Sequence, residues 1–119
     1  MSEVDQLSLI LHWEGACHLI FDLCLKMPKR ARMSFVSRLE GGALELLSKL
    51  HLARYMRGLA RRDALTHADA QLAVLRGLSR LAHGRQLISH GDFERLCSAL
   101  DEAGRMLGGW IRAQTVVSS

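Results

Sequence analysis

The spacing of apolar residues constrains this fold more than any other feature of the sequence. Apolar residues recur at steps of three and four in four separate segments, which is the pattern of α-helices that bury one side. The four stripes are Leu7, Ile10, Leu11, Ile20, Phe21 and Cys24; Phe35, Val36, Leu39, Ala43, Leu46, Leu47 and Leu50; Ala64, Leu65, Ala68, Leu72, Leu75, Leu78 and Ala82; and Phe93, Cys97, Leu100, Gly104, Leu107, Gly108 and Ile111. A chain of 119 residues with one proline and 5% aromatic residues suits helices packed by aliphatic side chains better than a sheet. The sequence therefore predicts one all-α domain over residues 1–119, an antiparallel up-down four-helix bundle.

Capping and breaking residues set the predicted ends of the helices. Ser2 and Ser89 precede the first and fourth stripes and are suited to cap those helices through their hydroxyl groups. Pro28 ends the first helix, because the residue before a proline avoids the helical conformation. The predicted helices span about 3–26, 34–57, 60–85 and 90–114.

Glycine positions refine two of these ends. Beyond Ala53 the second stripe would contain Arg54, Arg57 and Arg61, so the loss of phase predicts a break in the chain. Gly58 then supplies a C-terminal cap for the second helix. Gly84 is expected to help close the third helix in the same way.

Three glycines and a tryptophan interrupt the last predicted helix, in the stretch Gly-Arg-Met-Leu-Gly-Gly-Trp-Ile at 104–111. A glycine inside a helix costs about 1 kcal/mol relative to alanine, so these positions require a compensating gain. Gly104 and Gly108 fall on the apolar stripe, where a neighbouring helix can approach closely. Trp110 flanks the stripe as a large packing anchor. We therefore predict that Gly104, Gly108 and Trp110 have a role in helix packing.

Catalytic and metal-binding patterns are not visible in the sequence. The three cysteines have no C-x-x-C spacing and are expected to be reduced thiols in the core. Glu14 and His18 stand one helical turn apart, but no matching pair lies on another helix, so a partly buried polar pair is the favoured interpretation. The chain is predicted to be non-enzymatic, with no cofactor and no metal. A helical RNase using Arg62 with His67, or Arg76 with His83, is a weak alternative.

Basic residues are concentrated in the middle of the chain. Residues 1–25 carry four acids and no Lys or Arg, whereas residues 26–62 carry ten bases against two acids. Such a distribution indicates a polyanionic partner, although a solvated charged surface, with Asp69 as the partner of the helix-three arginines, is the alternative. The candidate nucleic-acid-binding residues form two groups, one on the third helix and one in the first connection: Arg62, Arg76, Arg80 and His83; and Lys29, Arg30 and Arg32. The helix-three group shares one side of its helix, where it can contact backbone phosphates.

Apolar surface is wider than one core stripe requires on the first, third and fourth helices. Leu9, Trp13 and Ala16 widen the first helix, and Val74, Leu78 and Leu81 widen the third. Surplus apolar surface of this kind can mark interfaces between subunits. The N-terminal segment has no positively charged start typical of a signal peptide, and uninterrupted apolar runs are too short to cross a bilayer, so we expect a cytoplasmic protein.

Several short motifs occur in a recognisable order: Met-Pro-Lys at 27–29, Leu-Arg at 75–76, Leu-Ala-His at 81–83, Ser-His at 89–90 and the glycine-rich octapeptide at 104–111. From His12 to Arg112 the chain resembles the accessory variability determinant (Avd) family of diversity-generating retroelements. It is also similar to the four-helix proteins found within ribosomal-RNA intervening sequences.

The resemblance implies a four-helix protomer that assembles into a homopentameric ring. It further implies a basic, non-enzymatic partner of the retroelement's reverse transcriptase that acts with it on template RNA during mutagenic copying. By position, Arg76 and Arg80 match the charged surface of the family. An intervening-sequence protein with nucleic-acid affinity and no retroelement is the alternative that the resemblance leaves open.

Overall fold

The computed structural model describes the backbone of residues 1–117 and the side chains as far as Gln114. Four helices account for most of this length, namely α1 (Glu3–Leu25), α2 (Ser37–Tyr55), α3 (Gly58–Gly84) and α4 (His90–Val117). A short 3-10 turn (Lys29–Ala31) and a π-helical segment (Arg32–Val36) connect α1 to α2. Within these residues there is no β-strand, so the predicted all-α class is confirmed.

Serine hydroxyls cap two of the helices as the sequence predicts. The Oγ of Ser2 accepts a hydrogen bond from the backbone N–H of Asp5 at 3.1 Å. The Oγ of Ser89 accepts one from the backbone N–H of Asp92, also at 3.1 Å. Each bond satisfies an N–H group that has no partner inside its helix.

The break between α2 and α3 is present, but the residues that form it differ from the prediction. Helix α2 ends at Tyr55, and Gly58, with a φ of 56°, is the first residue of α3 rather than the cap of α2. Instead, Arg61 closes α2 from the next helix: its Nε donates to the carbonyl of Ala53 at 2.8 Å, and its Nη2 to that of Arg54 at 3.0 Å. The last carbonyls of a helix lack partners within it, and a guanidinium provides several donors at once.

Gln86, not Gly84, terminates α3. Gln86 has a φ of 60°, its N–H donates to the carbonyl of His83, and the N–H of Leu87 donates to the carbonyl of Ala82 at 2.9 Å. These two bonds form a Schellman motif, in which the residue after the helix adopts a left-handed conformation. Leu87 is buried, which anchors the turn that leads into α4.

Each helix packs against two others, so the four form a closed bundle around one apolar core. Helix α2 contacts α1 and α3, and α4 contacts α3 and α1. Trp13 and Trp110 are the largest of the fully buried side chains. The indole N–H of Trp13 donates to the carbonyl of Ala43 on α2 at 2.9 Å, so this ring carries a satisfied polar group into the core.

The inward side of α1 differs from the predicted one. Leu9, Trp13 and Ala16 are in the core, whereas Leu7 and Leu11, which belong to the predicted core stripe, are exposed. Helix α1 is apolar almost all round, so spacing alone is compatible with more than one inward side.

By length and composition, α1 is also the one helix in the described part of the chain that meets the requirements of a membrane span, contrary to the expectation drawn from its short apolar runs. Of the apolar window concerned, 44% is buried inside the bundle. A core helix of a soluble protein passes the same test, so the finding carries no further conclusion.

Candidate nucleic-acid interface

Basic residues from two separate connections meet at one end of the bundle. Lys29, Arg30 and Arg32 lie in the turn that follows Pro28, and Arg85 lies at the C-terminal end of α3. We call Lys29, Arg30, Arg32 and Arg85 the basic end. All four are exposed, and none has a carboxylate within ion-pair distance among the described residues. This end of the molecule therefore carries uncompensated positive charge.

Local structure explains why these side chains project outward. Ala31 is buried between them and its N–H donates to the carbonyl of Pro28 at 2.9 Å, which holds the short turn against the bundle. Arg85 is placed by the turn that Gln86 completes. Arg85 is not recognisable as a site residue from the sequence, because its proximity to Arg30 depends on contact between two distant connections.

Arg30 and Arg85 line a common hollow of about 220 Å³, which also includes Ser34 and Phe35. Two guanidinium groups and a hydroxyl group around one small hollow provide hydrogen-bond donors suited to a phosphate group. In the first turn of α4, the carboxylate of Asp92 is already engaged by Lys26 and Arg95. The hydrogen bond from Arg95, with a further contribution from Lys26, holds the pKa of Asp92 below its usual value.

Arg76, one of the predicted nucleic-acid-binding residues on helix three, is engaged with α4 and not free like the basic end. Its Nη1 donates to Oδ1 of Asp101 on α4 at 2.5 Å, and its Nη2 donates to the backbone carbonyl of Leu100 at 3.3 Å. Helical spacing favours Asp69 as a partner, but the partner in the structure is Asp101. Arg76 therefore joins α3 to α4, and its charge is balanced by a carboxylate.

The other helix-three candidates are spread along the helix. His83 stacks on Phe93 of α4, with ring centroids 4.1 Å apart, and its Nε2 lies 3.5 Å from Nδ1 of His90. Arg80 and Arg62 are exposed and have no ion pair among the described residues. Arg62 is 23 residues from Arg85, about 35 Å along the axis of α3 at 1.5 Å per residue. The helix-three candidates thus do not form one continuous cationic surface.

Gly104, Gly108 and Trp110, the predicted packing residues of the glycine-rich stretch, each contact different side chains. A Cβ at Gly104 would lie 2.6 Å from Nη2 of Arg76 and 3.4 Å from Cδ2 of Leu72, so this glycine admits an arginine side chain from α3. At Gly108 the described side chain within 4 Å is Arg112, on the same helix. Trp110 is buried, and the guanidinium of Arg61 lies 5.7 Å from its ring centroid.

Thiol and metal chemistry have little support in the described residues. Burial, reinforced by the negative charge of Glu14, raises the pKa of Cys17 to about 11. Burial, reinforced by Glu40, raises the pKa of Cys24 to about 12. Both side chains are therefore protonated thiols at neutral pH. Glu14 and His18 are both exposed rather than partly buried. In the part of the chain that the structure describes, no group of three or more His, Cys, Asp or Glu residues is arranged to hold a metal ion.

A comparison with protein families decides the assignment. A family model described as bAvd-like matches residues 9–114, which is most of the chain. The chain belongs to the bAvd-like family. The resemblance drawn from the sequence motifs is thereby confirmed. No curated protein and no solved structure matches this bAvd-like chain.

Membership in the bAvd-like family indicates an accessory protein of the retroelement kind. The Avd-like accessory family is generally non-catalytic. In this bAvd-like protein, the basic end is an exposed cationic surface with no balancing carboxylate among the described residues.

Proposed function

We propose that the protein is a non-enzymatic accessory factor of a diversity-generating retroelement, which binds template RNA and the reverse transcriptase in the cytoplasm. The observation that carries the RNA part is the basic end, where Arg30 and Arg85 share one hollow without a compensating carboxylate. Family membership over residues 9–114 supports the retroelement part.

The mechanism of RNA binding is neutralisation of backbone phosphates with release of condensed counterions. Arginine is suited to this task because its planar guanidinium donates two parallel hydrogen bonds to phosphate oxygens. Few aromatic side chains accompany the basic end, so binding is expected to depend on charge and RNA shape rather than on base stacking.

The protomer in this proposal is an antiparallel up-down bundle, one subunit of a homopentameric ring. Contacts between α1 and α4 support the antiparallel part. Met1 lies close to Gly109, His12 hydrogen bonds the carbonyl of Ala99, and Lys26 pairs with Asp92, so positions on α4 fall as those on α1 rise. The ring itself is what the family resemblance implies.

The experiment is binding of a labelled structured RNA by fluorescence anisotropy at several salt concentrations. We expect binding that weakens steeply with salt. A double variant, Arg30→Glu with Arg85→Glu, should lower the magnitude of the logarithmic salt slope by about 0.7–0.9 for each phosphate that the protein no longer neutralises. The matched control is Arg105→Glu, an exposed arginine on α4 whose charge is balanced by Glu102, which should change affinity little. Wild-type affinity in the double variant would refute the assignment of the basic end.

A second experiment tests the partner. The reverse transcriptase encoded beside this gene should co-purify with the protein, and a variable-repeat target should lie nearby. Absence of both genes would favour the alternative of an intervening-sequence four-helix protein with nucleic-acid affinity.

A further inference from the structure

A second hollow lies where α2 gives way to α3, at the end of α3 that is remote from the basic end. It has a volume of about 460 Å³ and is lined by Glu3, Gln6, Arg54, Tyr55, Arg57 and Arg61. We call it the junction hollow. None of its three arginines has a carboxylate within ion-pair distance among the described residues. The junction hollow is therefore a cationic site separate from the basic end.

Hydrogen bonds to the C-terminal end of α2 hold two of these arginines in place. The carbonyl of Arg54 accepts from Nη1 of Arg57 at 3.1 Å and from Nη2 of Arg61 at 3.0 Å. Further bonds run from Arg57 to the carbonyl of Met56 and from Arg61 to that of Ala53. Nε and Nη2 of Arg57 and Nη1 of Arg61 have no acceptor in the described part of the chain. Because both guanidinium groups are held on one oxygen atom, their remaining donors are positioned before a ligand binds.

The charges around the junction hollow are not balanced within the described structure. Burial, with a further contribution from the positive charge of Arg57, lowers the pKa of Arg61. Glu3 is the one carboxylate among the lining residues, and it forms no ion pair with these arginines. Three guanidinium groups and one carboxylate give the lining a net charge of +2. A phosphate monoester carries about −1.5 to −2 charge at pH 7, so its charge matches that of the hollow.

The junction hollow also offers more than a phosphate group requires. Its volume is in the range of small-molecule sites, which are larger than one phosphate group. The side chain of Tyr55 is 83% exposed, so its ring is available to stack on a nucleic-acid base. Phosphate donors beside an aromatic ring are the groups that recognise a nucleotide.

We propose that the junction hollow binds a nucleoside monophosphate, with its phosphate on Arg57 and Arg61 and its base against Tyr55. Arg54 adds a third positive charge, and the carboxylate of Glu3 accepts hydrogen bonds from the sugar hydroxyl groups. This site goes beyond the proposed function, because it takes a single nucleotide at a place remote from the basic end. A free nucleotide and the phosphorylated end of an RNA chain present the same chemistry.

The test is isothermal titration calorimetry of the full chain with AMP and with UMP. Both should bind at one nucleotide per chain, and inorganic phosphate and adenosine should each bind more weakly, since each lacks part of the contacts. Arg57→Gln should raise Kd about tenfold or more, because a charge-assisted hydrogen bond to phosphate is lost. Tyr55→Ala should raise Kd about fivefold through loss of stacking. Glu3→Gln should lower Kd, because it removes the negative charge beside the phosphate.

The matched control is Arg62→Gln, which removes the same charge at an exposed arginine that does not line the hollow. It should leave Kd within about twofold of the wild-type value, because exposed charges are screened by salt. Circular dichroism will verify that each variant is folded. Absence of saturable binding up to about 1 mM nucleotide would overturn the proposal. Inorganic phosphate that binds as tightly as AMP, or wild-type affinity in Arg57→Gln or Tyr55→Ala, would also overturn it.

Two comparisons identify the source of the nucleotide and separate this site from the basic end. An oligoribonucleotide with a 5′-phosphate that displaces AMP, when its 5′-hydroxyl counterpart does not, identifies an RNA end as the ligand; no displacement identifies a free nucleotide. The double variant Arg30→Glu with Arg85→Glu should bind AMP as the wild type does. Arg57→Gln should retain salt-sensitive binding of a 5′-hydroxyl RNA, so either proposal can fail while the other stands.

Discussion

The glycine at 104 should be energetically coupled to Arg76. A Cβ at this position would lie 2.6 Å from Nη2 of Arg76, so this end of the guanidinium must shift to admit alanine, which disturbs its bond to the carbonyl of Leu100 and the adjoining bond from Nη1 to Asp101. Hydrogen bonds to charged groups contribute about 1.5–3 kcal/mol when buried, and exposed ion pairs about 0.2–1 kcal/mol. Because Asp101 is exposed, we expect the displacement to cost about 1–2 kcal/mol.

The substitution also has a stabilising effect, because alanine inside a helix lowers the free energy of the folded state by about 1 kcal/mol relative to glycine. Gly104→Ala in the wild type should therefore leave the protein unchanged or destabilise it by up to about 1 kcal/mol. In an Arg76→Ala background the obstruction is gone, and Leu72 at 3.4 Å is in ordinary contact. The same change should then stabilise the protein by about 1 kcal/mol, which gives a coupling of about 1–2 kcal/mol.

Urea unfolding followed by circular dichroism, at one protein concentration, measures all four members of this cycle. One kcal/mol corresponds to roughly 4 °C in Tm for a chain of this size. The control is Gly41→Ala on α2, where a Cβ would meet no side chain among the described residues, so its effect should be the same with and without Arg76. A coupling between Gly104 and Arg76 below about 0.3 kcal/mol would refute the structural role assigned to this arginine.

Two further predictions concern the turn between α3 and α4. Gln86→Gly should stabilise the protein by about 0.5–1 kcal/mol in urea unfolding, because a φ of 60° is strained for glutamine and readily adopted by glycine; an unchanged midpoint would contradict the left-handed conformation. Asp92→Asn should lower Tm at pH 7, because Asp92 has a folded-state pKa below its ordinary 3.8. A carboxylate with a lowered pKa stabilises the fold above its unfolded pKa and loses that effect as pH falls through the folded one, so the difference in Tm should shrink below pH 3.8. A difference in Tm that stays constant down to about pH 2 would argue against the ion pairs of Asp92.

Much of the helix arrangement was accessible from the sequence because its causes are local. The serine caps, the proline after α1 and the loss of phase past Ala53 each act within a few residues. The two wrong predictions of helix ends have a local cause as well. Gln86, and not a glycine, adopts the left-handed conformation after α3, and Gly58 begins α3 instead of capping α2. Helix α1, which is apolar on nearly every side, gave no unique inward direction.

The sequence by itself therefore determined the all-α class, the helical segments and the family motifs, since these depend on residues close together in the chain. Only the tertiary structure decided which arginines have charge available for a partner. Arg76 meets Asp101 on another helix and is balanced, whereas Arg30 and Arg85, 55 positions apart, meet around one hollow without a carboxylate. The physical reason is that the charge a side chain presents depends on its neighbours in space, and those neighbours are set by the packing of the helices.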